Sequence, residues 1–272
     1  MQVFEILGVC YSEQREIHMS QPSKTVIVTG AGSGIGFDTA RMLLETGNYR
    51  LALVGKEKNK IEEAAHSLEC SPDQVAAFAC DLRDSGQIRK TVEKIAGWSK
   101  TVYGLVNNAG IYPFGGIANT TEQSWDETFA VNLKGPFLFT QGVVPLLKHA
   151  DGGRIVNVSS TAGLLPNHFA LAYSVSKGAL LHMTKTLAKE LGKDNITVNC
   201  VCPGIVRTPM HEAYVRSEAE LEEFYAKRGA AFPMGRVGEP RDVAGAIRFF
   251  LSPDAAWVTG DIFILDGGRL LL

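Results

Sequence analysis

A doubly wound α/β sheet is the architecture this sequence predicts, and three observations predict it. Short β-branched runs alternate with longer stretches of helical spacing along the chain. The runs are apolar at nearly every position, which suits strands buried on both faces of a parallel sheet. No linker or shift of composition divides residues 21–272. One domain is therefore expected, with right-handed crossovers carrying helices to both faces of the sheet.

In order, strands are expected at Thr25–Thr29, Leu51–Val54, Val75–Cys80, Val102–Asn107, Arg154–Ser159, Ile196–Val201 and Ile262–Leu265. Helical spacing covers Asp38–Thr46, Lys58–Leu68, Gln87–Gly97, Glu122–Lys148, Ala172–Leu191 and Asp242–Leu251. The segment 207–236 breaks the alternation, being long and rich in Glu and aromatics. It leaves from the carboxyl end of the sixth strand, where open α/β sheets bind ligands, so it reads as a substrate lid, with a structural helical pair as the alternative. Residues 1–20 read as a loose N-terminal extension, because Met19 stands just before the first strand and the stretch lacks the pattern of a secretory leader.

Composition excludes several classes. The chain has 272 residues, 45% of them hydrophobic and 21% charged, ordinary for a globular protein with a large core. Lys and Arg number 27 against 29 Asp and Glu, which leaves no basic footprint for nucleic acid or an anionic membrane surface. No apolar run approaches the ~18 residues needed to span a bilayer. The five cysteines lack the C-x-x-C spacing of metal or redox sites, so no metal is expected, and they read as small core residues in a reduced cytoplasm.

Directly after the first strand comes Thr29-Gly30-Ala31-Gly32-Ser33-Gly34-Ile35-Gly36, and a helix follows from about Phe37. Glycines let the backbone approach a pyrophosphate, and the helix N-terminus offers free N–H groups to it. The segment lacks the lysine of a P-loop, so a dinucleotide is the better ligand than a nucleoside triphosphate. The end of the second strand bears on the choice between dinucleotides. Gly55 stands where a site for NAD would place a carboxylate, and Lys56 follows it, suited to neutralising the extra phosphate of NADP. NADP(H) is therefore favoured over NAD(H). At the next strand end, Asp81 offers a carboxylate to an adenine amino group and Leu82 an apolar partner to the ring. Asn108, Ala109 and Gly110 form a small-residue turn that would lie along the cofactor.

The chemistry is carried by Tyr173 and Lys177, one helical turn apart on one face. An ammonium about 4 Å from a phenol, at an effective dielectric of ~20, attracts its phenolate by roughly 4 kcal/mol. That draws a pKa of ~10 down towards ~7, before the lysine's desolvation is subtracted, into the range of a general acid or base. Ser160, at the end of the fifth strand, has a hydroxyl placed to enter the same site. Asn132 is a polar residue between Val131 and Leu133, and a buried amide there needs partners.

Taken with the glycine turn, these residues resemble the short-chain dehydrogenase/reductase family over about 24–268, its 3-oxoacyl-carrier-protein reductases in particular. Pro203-Gly204, Val206 and Thr208 after the sixth strand, and Asp266-Gly267-Gly268 near the end, match as well. The resemblance implies a seven-stranded Rossmann-type sheet and a homo-oligomer, usually a tetramer, otherwise a dimer. It assigns proton transfer to Tyr173, the hold on the substrate oxygen to Ser160, tuning and ribose binding to Lys177, and the proton relay to Asn132. Gly30, Ser33, Gly34, Ile35, Gly36, Lys56, Asp81, Leu82, Asn108, Ala109, Gly110, Tyr173, Lys177, Pro203, Gly204, Val206 and Thr208 would bind the cofactor. Ser160, Leu165, His168 and Tyr173 would meet a small carbonyl or alcohol substrate, with Ile111, Phe114, Leu164, Phe169, Met210 and Tyr214 as further apolar walls. Carrier-protein reductases favour a cation where this chain has Ala150-Asp151, which weighs against that substrate, although Lys189 suits it. Two other classes compete less well. Ser33 does not stand in a hydrolase G-x-S-x-G, and a non-catalytic regulator on this fold would be expected to have lost Tyr173 or Lys177.

Overall fold

Seven strands form one parallel sheet: Lys24–Thr29 (β1), Tyr49–Gly55 (β2), Val75–Ala79 (β3), Gly104–Asn107 (β4), Gly153–Val158 (β5), Ile196–Pro203 (β6) and Ile262–Leu265 (β7). Their spatial order is β3-β2-β1-β4-β5-β6-β7. The chain thus winds outward from β1 to one edge, then crosses back to β4 and winds to the other. The computed structural model describes residues 24–150, 152–215 and 217–272. The expected extension at 1–20 and Asp151 lie outside them.

Period-two alternation builds a core on each face. Val26, Val28, Leu51, Leu53, Val106 and Val156 point to one side, under helices α1 (Gly34–Leu44), α2 (Lys58–Ser67) and α8 (Pro240–Leu251). Ile27, Ala52, Val54, Leu105, Ile155 and Val198 point to the other. Helices α3 (Ser85–Trp98), α5 (Gly135–His149) and α6 (Leu171–Leu191) cover that side. Among the described residues no helix is long and apolar enough to cross a membrane.

Three expectations change. The first helix begins at Gly34 rather than near Asp38, with Ser33 as its cap residue. The expected long helix over 122–148 is broken into α4 (Glu122–Phe129), a π-turn at Ala130–Lys134, and α5. Pro136 has no N–H for the Asn132 carbonyl, and the Gly135 amide reaches back to the Ala130 carbonyl instead. The segment 207–236 contains a 3₁₀ turn at Pro209–Tyr214 and a helix, α7 (Glu218–Gly229), that the sheet-directed pattern did not single out. Helix α7 packs on its own small cluster of Tyr225, Phe232 and Val237, away from the main cores.

Candidate active site

The order reversal between β1 and β4 opens a crevice at their carboxyl ends, and the glycine turn occupies its floor. Here the backbone is packed without room for side chains. A Cβ at Gly36 would lie 2.4 Å from the Gly30 carbonyl oxygen, and one at Gly30 would lie 2.8 Å from Ala109 Cα. Gly30 and Gly34 also hold positive φ values of 67° and 56°, which a side chain would resist. Thr29 Oγ1 accepts the N–H groups of Asn108 and Ala109 at 3.0 and 3.1 Å, tying β1 to β4. The Ser33 hydroxyl makes no capping bond to α1, which leaves the first-turn amides of that helix facing the crevice. Thr208 closes the far side, its Cγ2 within 3.1 Å of a Cβ at Gly34.

Several residues expected at the dinucleotide also make contacts within the protein. The Asn108 amide donates to the Thr29 and Gly30 carbonyls at 2.9 and 3.2 Å, so it braces the turn from behind. Leu82 is buried in the core beside Gly135. The Asp81 carboxylate is held by Arg83, whose Nε lies 3.0 Å from both its oxygens. That guanidinium keeps its pKa below the usual carboxylate range, with Lys56 adding a smaller pull. The helix that follows is capped by Asp84, which accepts the amides of Gly86 and Gln87. Lys56 is exposed at the end of β2. A side chain at Gly55 would meet Ile61 at 3.1 Å, so the customary carboxylate position is already packed. Ile35 is partly buried against the core. Pro203 ends β6, the Gly204 amide bonds the Leu265 carbonyl at 2.8 Å, and buried Val206 bridges to Gly238.

Beside this crevice the polar residues converge. A single point, the Cβ position of Gly110, lies 3.3 Å from Asn132 Oδ1 and 3.4 Å from Lys177 Nζ. Asn132 is fully buried in the π-turn, where its amide accepts the Ile111 N–H at 2.9 Å and donates to the Ile111 carbonyl and Ser176 Oγ at 3.0 and 3.1 Å. Lys177 is 3% exposed and donates to the Val158 carbonyl at 2.8 Å. Its Nζ lies 5.7 Å from the Tyr173 ring centre. Burial lowers its pKa to about 8, so the desolvation left out of the sequence estimate is substantial, yet the ammonium persists at neutral pH. Ser159 Oγ donates to the Lys177 carbonyl at 2.8 Å, pinning α6 to the end of β5. Ser160 caps the next turn, accepting the Ala162 amide at 3.1 Å.

The expected substrate walls are less uniform. Leu164, Leu165, His168 and Phe169 are exposed, with the His168 ring 3.8 Å from that of Phe169. The same turn is tied back to the site by Asn167, whose backbone amide donates to Ser174 Oγ at 3.2 Å. The Tyr214 side chain lies outside what is described. Sequence reasoning missed Tyr112, whose ring meets Tyr173 edge-on at 4.5 Å and whose hydroxyl accepts from Asn167 at 3.1 Å. The available signal was an aromatic residue two positions after the small-residue turn.

Comparison with known proteins agrees with this geometry. A family model described as short chain dehydrogenase matches residues 24–219. The chain belongs to the short-chain dehydrogenase family. An uncharacterized oxidoreductase of Thermotoga maritima is 40% identical, covering 92% of this chain and 98% of its own. A 3-oxoacyl-(acyl-carrier-protein) reductase of the same organism is 36% identical over 93% of this chain and all of its own. The ligand-free aldohexose dehydrogenase of Thermoplasma acidophilum superposes with a TM-score of 0.82 at 27% identity, over 92% of this chain and 95% of that one. As a short-chain dehydrogenase the chain is an oxidoreductase acting on CH–OH groups with a nicotinamide dinucleotide. The residues fit that group. The glycine turn is a backbone cradle that a Cβ at Gly30 or Gly36 would fill, and a buried ammonium lies by the Gly110 turn that packs on it.

Proposed function

We propose that this enzyme interconverts a ketone and a secondary alcohol with NADP(H), using Tyr173 as the acid and base. The observation that carries the reading is the buried Lys177 ammonium, held between the Val158 carbonyl and the Tyr173 ring. When bound, the nicotinamide supplies or takes the hydride at the substrate carbon. Tyr173 gives its proton to the carbonyl oxygen in reduction and takes it back in oxidation. Ser160 donates a hydrogen bond to the same oxygen as charge develops there. Lys177 favours the phenolate by direct attraction and, with Asn132, lines the route by which a proton is restored. The buried edge contact from Tyr112 holds the phenol ring in place and keeps water off one side.

The preference for NADP(H) rests on the exposed Lys56, on the closed Gly55 position, and on an Asp81 carboxylate already neutralised by Arg83. A homo-oligomer, tetramer or dimer, is supported by exposed apolar side chains such as Phe137, Phe249 and Trp257. A groove of about 740 Å³ lined by Phe129, Leu133, Phe137 and Met183 on the α4–α6 side adds to that support. The thiols of Cys80, Cys200 and Cys202 are free and buried, as suits a cytoplasmic enzyme. Segment 207–236 acts as the lid over the substrate.

Two measurements test the reading. Tyr173→Phe should lose ~10²–10⁴-fold in turnover while still binding dinucleotide; a variant that keeps its turnover removes the mechanism. In kcat/KM, NADPH should exceed NADH, and Lys56→Glu should narrow or reverse the ratio. A clear NADH preference in the wild-type enzyme would contradict the cofactor assignment.

A further inference from the structure

Every polar group of Asn167, in the turn between β5 and α6, is bonded, and the bonds run in three directions. Its carbonyl accepts the Ala170 amide at 3.2 Å and its side-chain oxygen accepts the Phe169 amide at 3.1 Å, which shapes the turn itself. Its backbone amide donates to Ser174 Oγ at 3.2 Å, which reaches α6. Its side-chain nitrogen donates to the Tyr112 hydroxyl at 3.1 Å, which crosses to the segment after β4. The Phe169 N–H can only donate, so it fixes which end of the Asn167 amide faces Tyr112. An asparagine that only forms a turn uses its oxygen. The bond to Tyr112 is therefore not accounted for by the turn.

Both far ends of this set of bonds lie against Tyr173. The Tyr112 ring meets the Tyr173 ring edge-on, with centres 4.5 Å apart and planes at 89°. Ser174 follows Tyr173 in α6, and its hydroxyl donates to the Ala162 carbonyl at 2.5 Å. The amide of that same Ala162 is capped by Ser160. Backbone bonds from Gly115 to Phe169 and from Leu171 to Gly115, both 2.9 Å, already join the two chain segments. The Asn167–Tyr112 bond is thus not needed to hold them together. What it adds is an angle. A tyrosine ring turns about two side-chain torsions, and tying its hydroxyl to a fixed donor leaves one setting. Burial raises the pKa of Tyr112 against the pull of the Asn167 bond, so it stands beside Tyr173 as a neutral phenol and not as a second base.

We propose that Asn167 is a positioning residue for Tyr173. Through the Tyr112 hydroxyl it sets the ring against which the Tyr173 phenol packs, and so fixes the acid–base group relative to the turn after Ser160. Edge-to-face ring pairs depend on their mutual angle, so an untied Tyr112 lets the Tyr173 ring drift. A reacting group displaced by about 1 Å loses up to ~10²-fold in rate. The inference rests on the reading of Tyr173 as acid and base, and adds the residue that aims it.

Three variants test it. Tyr112→Phe removes the hydroxyl and keeps both the ring and the Asn167 turn. Asn167→Ala removes the bond from the other side, together with the Phe169 bond, and the third variant combines the two. Each single substitution should lower kcat about tenfold, with the substrate KM and the dinucleotide Kd changed by less than about twofold. The double variant should be no slower than the slower single one, because both remove the same bond. Losses that multiply, an unchanged kcat in Tyr112→Phe, or a rise in KM alone would overturn the proposal and leave Asn167 as a turn residue. A crystal structure of Asn167→Ala keeps the proposal testable apart from turnover. There the Tyr112 ring should leave its edge contact and the Tyr173 hydroxyl should move by about 0.5–1 Å. Two rings that stay where the wild-type enzyme has them refute the proposal whatever the kinetics. Retained turnover in Tyr173→Phe would instead refute the catalytic reading, and the ring positions in Asn167→Ala would still decide whether Asn167 sets them.

Discussion

Around the glycine turn, one added methyl group meets a backbone oxygen at 2.4 Å; across the crevice, Leu165 and Phe169 stand more than half exposed. The dinucleotide side of this cleft is backbone packed on backbone, tied by Thr29 and Asn108. The proposed substrate side is long side chains on turns, with helix α7 in the proposed lid. A shape made of backbone can accept one kind of ligand, and a shape made of exposed side chains can be re-cut without disturbing the sheet.

The largest expected effect is on the tight side. Gly36→Val should abolish dinucleotide binding and cost about 1–3 kcal/mol of stability by overpacking. Near-normal cofactor affinity in that variant would break the comparison. Next comes Asn132→Ala, which takes the side-chain partner from the Ile111 amide and carbonyl. It should destabilise by about 1–3 kcal/mol in thermal or denaturant unfolding. A smaller and signed effect belongs to Lys177. Its pKa in the fold is about 8 against an ordinary 10.5, so between those values the unfolded chain holds a proton that the native one has released. Wild-type stability should therefore rise relative to Lys177→Met as pH is taken from 8 towards 10. A difference that stays flat or falls over that window contradicts the buried ammonium. At the open side, Phe169→Ser should change stability by no more than about 0.5 kcal/mol.

The sequence carries the tight side better than the open one, for a physical reason. Strands buried on both faces must be apolar throughout, and a cradle that excludes Cβ atoms must be glycine, so both leave marks in composition. Tyr173, Lys177 and Asn132 were legible because polar groups at those spacings stand out among apolar neighbours. Side-chain direction leaves no such mark. Leu82 and Asn108 are at the expected places along the chain, yet one points into the core and the other into the back of the turn. His168 and Leu165 follow the right strand, on a turn where both side chains are exposed. The π-turn depends on Pro136 lacking an amide for the Asn132 carbonyl, a backbone effect hidden inside an otherwise helical pattern. Helix α7 buries Tyr225 against its own segment rather than the sheet, so the sheet-directed periodicity did not reveal it.

The most direct test of the account is the pH dependence of alcohol oxidation in Lys177→Met, measured as kcat/KM with saturating dinucleotide. If the ammonium is what makes Tyr173 a usable base, the rising limb should move up by ~1–3 pH units when the charge is removed. A limb that stays where the wild-type enzyme has it would show that Lys177 does not tune the phenol.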